Sequence, residues 1–102
     1  MTWRATDVVP DPADVFVPVT VADTPMVLVR LADGWSAVED RCGHAGCPFS
    51  TDGRLEDGRI VCDCHGSEFD PRTGAVLRPP AQRPVAVFAA RVGADGRLEV
   101  DR

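Results

Sequence analysis

The sequence lacks a long apolar run, an excess of positive charge and a recognisable export signal. Its most apolar stretch, residues 85–90, is the length of one strand, whereas a membrane-spanning helix needs roughly 18 to 20 apolar residues. The formal net charge of −5 leaves no basic excess for sequence-independent nucleic-acid binding. The N-terminus has neither an apolar signal core nor a cleavage site. We therefore expect a cytoplasmic protein that contacts neither membrane nor nucleic acid.

Histidine is also scarce, and both histidines of the chain lie in two short segments that contain cysteine. The segments are Cys42-Gly43-His44 and Cys62-Asp63-Cys64-His65. In each one, a single tight loop can present a Cys and a His to a small inorganic core. Two such loops match a [2Fe–2S] centre in which two His replace two Cys on one of the irons. Each loop then gives its Cys to one iron and its His to the other.

A single tetrahedral zinc ion is the alternative, because it also accepts two Cys and two His. Structural zinc sites more often pair like ligands in C-x2–4-C and H-x3–5-H arrangements. The C-x-H spacing of Cys42 and His44 fits such an arrangement poorly. The residues alone favour the iron–sulfur cluster and leave the zinc site open.

Both segments and the residues between and after them resemble the Rieske iron–sulfur family. The likeness covers CGHAGCP at residues 42–48, CDCHGSEFD at 62–70, Thr73-Gly74 and PPA at 79–81. The flanking β-rich pattern is similar to the small soluble Rieske ferredoxins of ring-hydroxylating dioxygenase systems. The resemblance implies one [2Fe–2S] cluster, with Cys42, His44, Cys62 and His65 as its ligands.

The resemblance also implies roles for residues beside the cluster. Cys47 and Cys64 correspond to a disulfide pair that is typical of high-potential members of the family. The Pro79-Pro80 segment corresponds to a loop that shields the cluster. Ser67 is expected to donate a hydrogen bond to cluster sulfur, whereas Phe69 stands where high-potential members carry a hydrogen-bonding Tyr.

The function that this resemblance implies is one-electron transfer from a reductase to an oxygenase. Docking is expected to be transient and to use the edge formed by His44 and His65. Gly46, Pro48 and the Pro79-Pro80 segment form an apolar rim around that edge. The alternative functions are a Rieske redox subunit of a larger reductase complex and a structural zinc-binding module.

Catalytic residues are not expected. Both histidines are committed to the cluster, so none is left for the mononuclear iron of an oxygenase, which two His and a carboxylate usually hold. The sequence has no G-x-G-x-x-G nucleotide motif. The chain is therefore interpreted as an electron-transfer protein without enzymatic activity. Arg72 and Arg78 either steer a partner or are solvated surface residues.

Short apolar runs alternate with turn signals along the whole chain, which predicts an all-β fold. Asp33-Gly34 and Asp95-Gly96 are hairpin signals, and Asp57-Gly58 is a turn signal. Pro18 indicates that the strand at residues 15–21 is an edge strand. Four aromatic residues are expected in the core, namely Trp3, Phe16, Trp35 and Phe88.

These elements predict a single Rieske domain, spanning residues 1–102, with two parts. Residues 1–39 and 81–102 form an antiparallel β-sandwich or barrel-like base. Residues 40–80 form a cluster-binding subdomain that is inserted between strands of this base.

Overall fold

The computed structural model describes residues 2–42 and 46–102. Every strand pairing within these ranges is antiparallel, which confirms the predicted all-β class. The elements in chain order are β1 (Trp3–Ala5), β2 (Phe16–Val21), β3 (Thr24–Leu31), β4 (Gly34–Glu39), α1 (Phe49–Asp52), β5 (Gly53–Glu56), β6 (Arg59–Cys62), β7 (Ser67–Phe69), β8 (Val76–Arg78), β9 (Val87–Val92) and β10 (Leu98–Asp101).

The strands form two sheets. The first has six strands in the order β1-β10-β9-β4-β3-β2, and the second has four in the order β5-β6-β7-β8. The chain leaves the first sheet after β4, builds the whole second sheet and re-enters the first sheet at β9. Within the described ranges, no helix is long and apolar enough to cross a bilayer.

The hairpin signals of the sequence are confirmed, and one further turn lacks such a signal. The turn between β3 and β4 consists of Ala32 and Asp33, with Gly34 as the first residue of β4, and Asp95-Gly96 lies between β9 and β10. The turn between β2 and β3 consists of Ala22 and Asp23, with φ angles of 48° and 66°. Glycine is the usual residue for such angles, which explains why the sequence does not reveal this turn. Strand β2 is at the edge of its sheet, as Pro18 predicts.

The core has two clusters that share strand β3. Val27 and Val29 point into a cluster that combines residues of both sheets, whereas Met26 and Leu28 point to the opposite face of the first sheet. This alternation follows from the period of two along a strand. Because both faces of β3 are covered, these four residues are fully buried.

The aromatic residues only partly follow the prediction. Trp35 is buried, but Phe16 and Phe88 are half-buried and pack against the core from its margin. Trp3 is also half-buried, and its ring lies 3.8 Å from the guanidinium of Arg91. In the cluster between the sheets, the largest fully buried side chains are Phe49 and Phe69, which meet edge to face at 5.5 Å.

Gly74 is a point of contact between the second sheet and the return to the first. Its carbonyl oxygen accepts a hydrogen bond from Val85 N–H at 3.0 Å, and its φ angle is +80°. A Cβ atom at this position would lie 2.0 Å from the Val85 carbonyl oxygen. The position therefore requires glycine for two reasons, conformation and close approach.

We predict that Gly74→Ala destabilises the fold far more than Gly96→Ala. Gly96 has a similar φ of +86° with no neighbouring atom within 4 Å of a Cβ, so its substitution adds only conformational strain of about 1 to 2 kcal/mol. Gly74→Ala adds a backbone clash and should reduce the free energy of unfolding by at least about 2 kcal/mol more. Urea denaturation of both variants measures the difference, and equal losses would contradict the close approach.

Candidate metal centre

Two buried cysteines lie where the two sheets meet. Cys42 follows the end of β4 by three residues, and Cys62 is the last residue of β6. Both are free thiols in the core cluster that joins the sheets, with exposed fractions of 3% and 0%. Both belong to the same cluster of buried residues. The structure thus brings together the cysteines of the two sequence segments.

The two cysteine loops are closed in the same way. Gly46 N–H donates to the Cys42 carbonyl oxygen at 3.1 Å, and Gly66 N–H donates to the Cys62 carbonyl oxygen at 2.8 Å. Both glycines have left-handed φ angles, 71° and 83°. Each bond joins residue i to residue i+4, which turns the chain back on itself. Of the two histidines, His44 lies outside the described residues, and His65 is exposed.

A disulfide connects the loops. It joins Cys47 to Cys64, the pair that the family resemblance implies, across a sequence separation of 17. Cys42 N–H also donates to the Cys47 carbonyl oxygen at 2.8 Å, so the first loop is closed on itself as well. A ring nitrogen of His65 lies within 4.8 Å of both disulfide sulfur atoms. Those sulfur atoms are already bonded to each other, so this trio is not a separate metal site.

The surroundings of Cys62 fit a metal-binding thiolate. The pKa of the Cys62 thiol is raised to about 11, chiefly by burial and to a smaller extent by the Cys42 side chain. Backbone hydrogen bonds from Cys64 and His65 act in the opposite direction, because they favour the thiolate. Metal ligation requires that form. Two buried thiols in one core cluster, with backbone N–H donors around Cys62, therefore fit the cysteine half of an iron–sulfur site.

Ser67 connects the second loop to the proline segment. It is fully buried and lies opposite Cys62 in the pairing of β6 with β7. Its Oγ accepts a hydrogen bond from Ala81 N–H at 3.0 Å, which anchors the end of the Pro79-Pro80 segment. A hydroxyl that accepts a bond still has its own hydrogen to donate. Phe69, two residues further, is fully buried and offers no such donor.

The predicted apolar rim lies at the surface. Gly46, Pro48, Pro79 and Pro80 are all exposed. The two arginines that the sequence suggested for steering are both ion-paired. Arg72 bonds Asp33 at 2.8 Å and thereby lowers the pKa of that carboxyl. Arg78 bonds the buried carboxylate of Glu68 at 3.3 Å.

Two other arginines lie beside the site and were not predicted from the sequence. Arg41 and Arg83 have no carboxylate partner among the described residues, and both line a cleft next to Cys42. The signal available in the sequence was the adjacency of Arg41 to Cys42. Nothing in the sequence indicates that Arg83 reaches the same cleft.

Comparison with known proteins agrees with this geometry. The Rieske [2Fe-2S] domain family matches residues 3–89. The anthranilate 1,2-dioxygenase ferredoxin subunit of Burkholderia cepacia is 36% identical over 77 residues, which cover 76% of this chain and 69% of that subunit.

Two solved structures are also similar. The ferredoxin of carbazole 1,9a-dioxygenase from Nocardioides aromaticivorans IC177 has a TM-score of 0.83 at 25% identity, with 98% of this chain and 97% of that chain covered. A chain in the complex of reduced oxygenase and oxidized ferredoxin in carbazole 1,9a-dioxygenase has a TM-score of 0.81 at 29% identity, with coverage of 96% and 91%. The family match extends over both cysteine-histidine segments, and this chain therefore belongs to the Rieske [2Fe-2S] domain family.

Proposed function

We propose that this protein is a one-electron carrier that holds one [2Fe–2S] cluster and passes electrons from a reductase to an oxygenase. The observation that carries this proposal is the meeting of Cys42 and Cys62 as free, buried thiols on two loops of identical closure. The similarity to dioxygenase ferredoxins supports the carrier role, since those proteins are named as ferredoxin components of their systems. No catalytic activity is proposed for the chain itself.

The proposed ligands are Cys42, His44, Cys62 and His65, within a cluster-binding part formed by residues 40–80. When bound, the cluster accepts and releases one electron. Two thiolates and two neutral imidazoles bring less negative charge to the irons than four thiolates do. This ligand set therefore favours the reduced state relative to an all-cysteine site.

The proposed docking edge is the exposed side that carries the histidines. His65 is exposed, and Gly46, Pro48 and the Pro79-Pro80 segment are exposed around it. An exposed imidazole next to small apolar residues allows close approach without a large interface, as transient electron-transfer partners require. A similar chain occurs in a complex of an oxygenase with a ferredoxin, which supports an oxygenase as acceptor. We propose that this exchange takes place in the cytoplasm.

The first prediction concerns the metal. The purified protein should contain two irons and two acid-labile sulfides per chain. His65→Cys should shift the electron paramagnetic resonance spectrum of the reduced protein toward that of an all-thiolate cluster. Asp63→Cys adds a thiol to the same loop outside the ligand set and should leave the spectrum unchanged. Stoichiometric zinc without labile sulfide would refute the cluster and favour the structural zinc module.

The second prediction concerns the disulfide. Alkylation of the unfolded protein without reductant should modify Cys42 and Cys62 and leave Cys47 and Cys64 unmodified. Replacing the latter pair by serine should lower the free energy of unfolding by about 3 kcal/mol, the loop-closure contribution expected for a bridge of this span. Mass spectrometry of the alkylated peptides and urea denaturation are the measurements. Alkylation of Cys47 and Cys64 would reject the bridge.

The third prediction concerns the reduction potential, which should lie within about −150 to +300 mV and below the upper end of that range. Ser67→Ala removes a donor that stabilises the reduced state, and a bond worth roughly 1 to 1.5 kcal/mol corresponds to a fall of about 40 to 65 mV. Phe69→Tyr adds a donor and should raise the potential by a similar amount.

Ser36→Ala is the matched control for this measurement. Ser36 is also a buried serine, but its Oγ donates to the Pro71 carbonyl oxygen at 2.5 Å. Protein-film voltammetry should give the wild-type potential for this variant. Unchanged potentials in Ser67→Ala and Phe69→Tyr, with intact clusters, would show that neither position tunes the centre.

A further inference from the structure

We propose that Arg41 and Arg83 form a docking site for carboxylate side chains on an acidic surface of a redox partner protein. Both arginines are exposed and line one cleft, together with Glu39, Cys42 and Pro84. The proposal rests on the electron-carrier function, because it assigns one part of the partner interface. We call this pair the cleft arginines.

The cleft arginines differ from the other basic residues of the chain, which are all arginines. Each of the others has a side-chain partner within the described ranges, either a carboxylate, a backbone carbonyl or a hydroxyl. These are Arg4, Arg30, Arg54, Arg59, Arg72, Arg78, Arg91, Arg97 and Arg102. No carboxylate of residues 2–42 and 46–102 pairs with the cleft arginines. The four residues outside the described ranges carry no side-chain carboxylate.

The acidic side chains nearest to Arg41 in sequence are bound to backbone groups instead. Glu39 Oε1 accepts a hydrogen bond from Ala86 N–H at 3.2 Å. Asp40 Oδ1 accepts one from Ser50 N–H at 2.7 Å. Each contact uses one carboxylate oxygen, and neither carboxylate forms an ion pair with Arg41. The guanidinium of Arg41 instead lies along the first cysteine loop, with its Nε 3.7 Å from the position of a Cβ at Gly46.

A carboxylate is the group that such a site recognises. A guanidinium offers planar N–H donors that match the two oxygens of a carboxylate. The cleft has a volume of about 140 Å³, which is below the roughly 300 Å³ at which pockets for small ligands begin. It therefore suits an inserted side chain better than a free cofactor. The rest of the chain has a net charge that repels an acidic partner, so this patch also selects the orientation of approach.

The cleft lies next to a proposed cluster ligand, so a partner that binds there lies close to the proposed cluster. One wall of the cleft is Cys42, a proposed ligand, and Arg41 is its neighbour in the chain. A partner carboxylate bound there lies beside the first cysteine loop. The overall acidity of the chain predicts partners with positive patches, whereas the two cleft arginines offer a site for negatively charged side chains. An acidic partner that docks at this side is therefore attracted by the cleft arginines and not by the net charge of the chain.

The test is stopped-flow oxidation of the reduced, cluster-loaded protein by two probe proteins, an acidic blue-copper protein and a basic c-type cytochrome. Arg41→Gln and Arg83→Gln should each slow oxidation by the acidic probe about fivefold at low ionic strength, which is the effect of losing one contact between opposite charges in water. The difference should disappear at high salt. Oxidation by the basic probe should be unchanged or faster.

Arg97→Gln is the matched control, because it removes the same charge at the hairpin between β9 and β10. Arg97 pairs with Asp95 there, whereas the cleft lies near the opposite end of β9, where Val87 pairs with Val38. The proposal is overturned if the cleft variants slow the acidic probe no more than Arg97→Gln does, or slow both probes equally. Iron content, spectrum and reduction potential of the same samples test the carrier function separately.

Discussion

The disulfide between Cys47 and Cys64 joins two loops that come from different sheets, and the arrangement of the site depends on this bond. The first loop follows β4 of the six-stranded sheet, and the second lies between β6 and β7 of the four-stranded sheet. Burial of Cys42 and Cys62 in one core cluster fixes the other end of each loop. The first loop is therefore held by the packing of Cys42 and the second by that of Cys62, and the disulfide ties the two loops to each other.

Burial changes sharply across this site. The thiols of Cys42 and Cys62 are enclosed by apolar side chains, whereas His65 and the surrounding glycine and proline residues are exposed. Water is kept from the sulfur side, and the imidazole side is open. Ser67 connects the two sides. Its side chain is buried, and its Oγ accepts the hydrogen bond from Ala81 N–H that anchors the segment with the exposed Pro80. Arg72 and Arg78 are ion-paired, whereas the cleft arginines have no carboxylate partner among the described residues.

Local sequence patterns predicted those parts of the structure that local physics determines. Dipeptides such as Asp57-Gly58 marked turns because their φ requirements are specific, and Pro18 marked an edge strand because it donates no ladder bond. The turn at Ala22-Asp23 was missed because neither residue prefers its observed conformation. The central position of Phe49 and the availability of the cleft arginines depend on contacts between segments distant in sequence, which no local pattern encodes. The ligand set was predicted from two segments. The structure places Cys42 and Cys62 in one core cluster, and the assignment of all four ligands remains a prediction.

The proposed ligand set requires two histidines and two cysteines to share one cluster, and the histidines can be observed directly. The chain contains only two, so incorporation of ¹⁵N-histidine labels no other side chain. Pulsed electron paramagnetic resonance of the reduced protein should show two strongly coupled ¹⁵N nuclei, one from each imidazole. The absence of strongly coupled nitrogen in a protein that contains iron and sulfide would contradict the proposed ligand set.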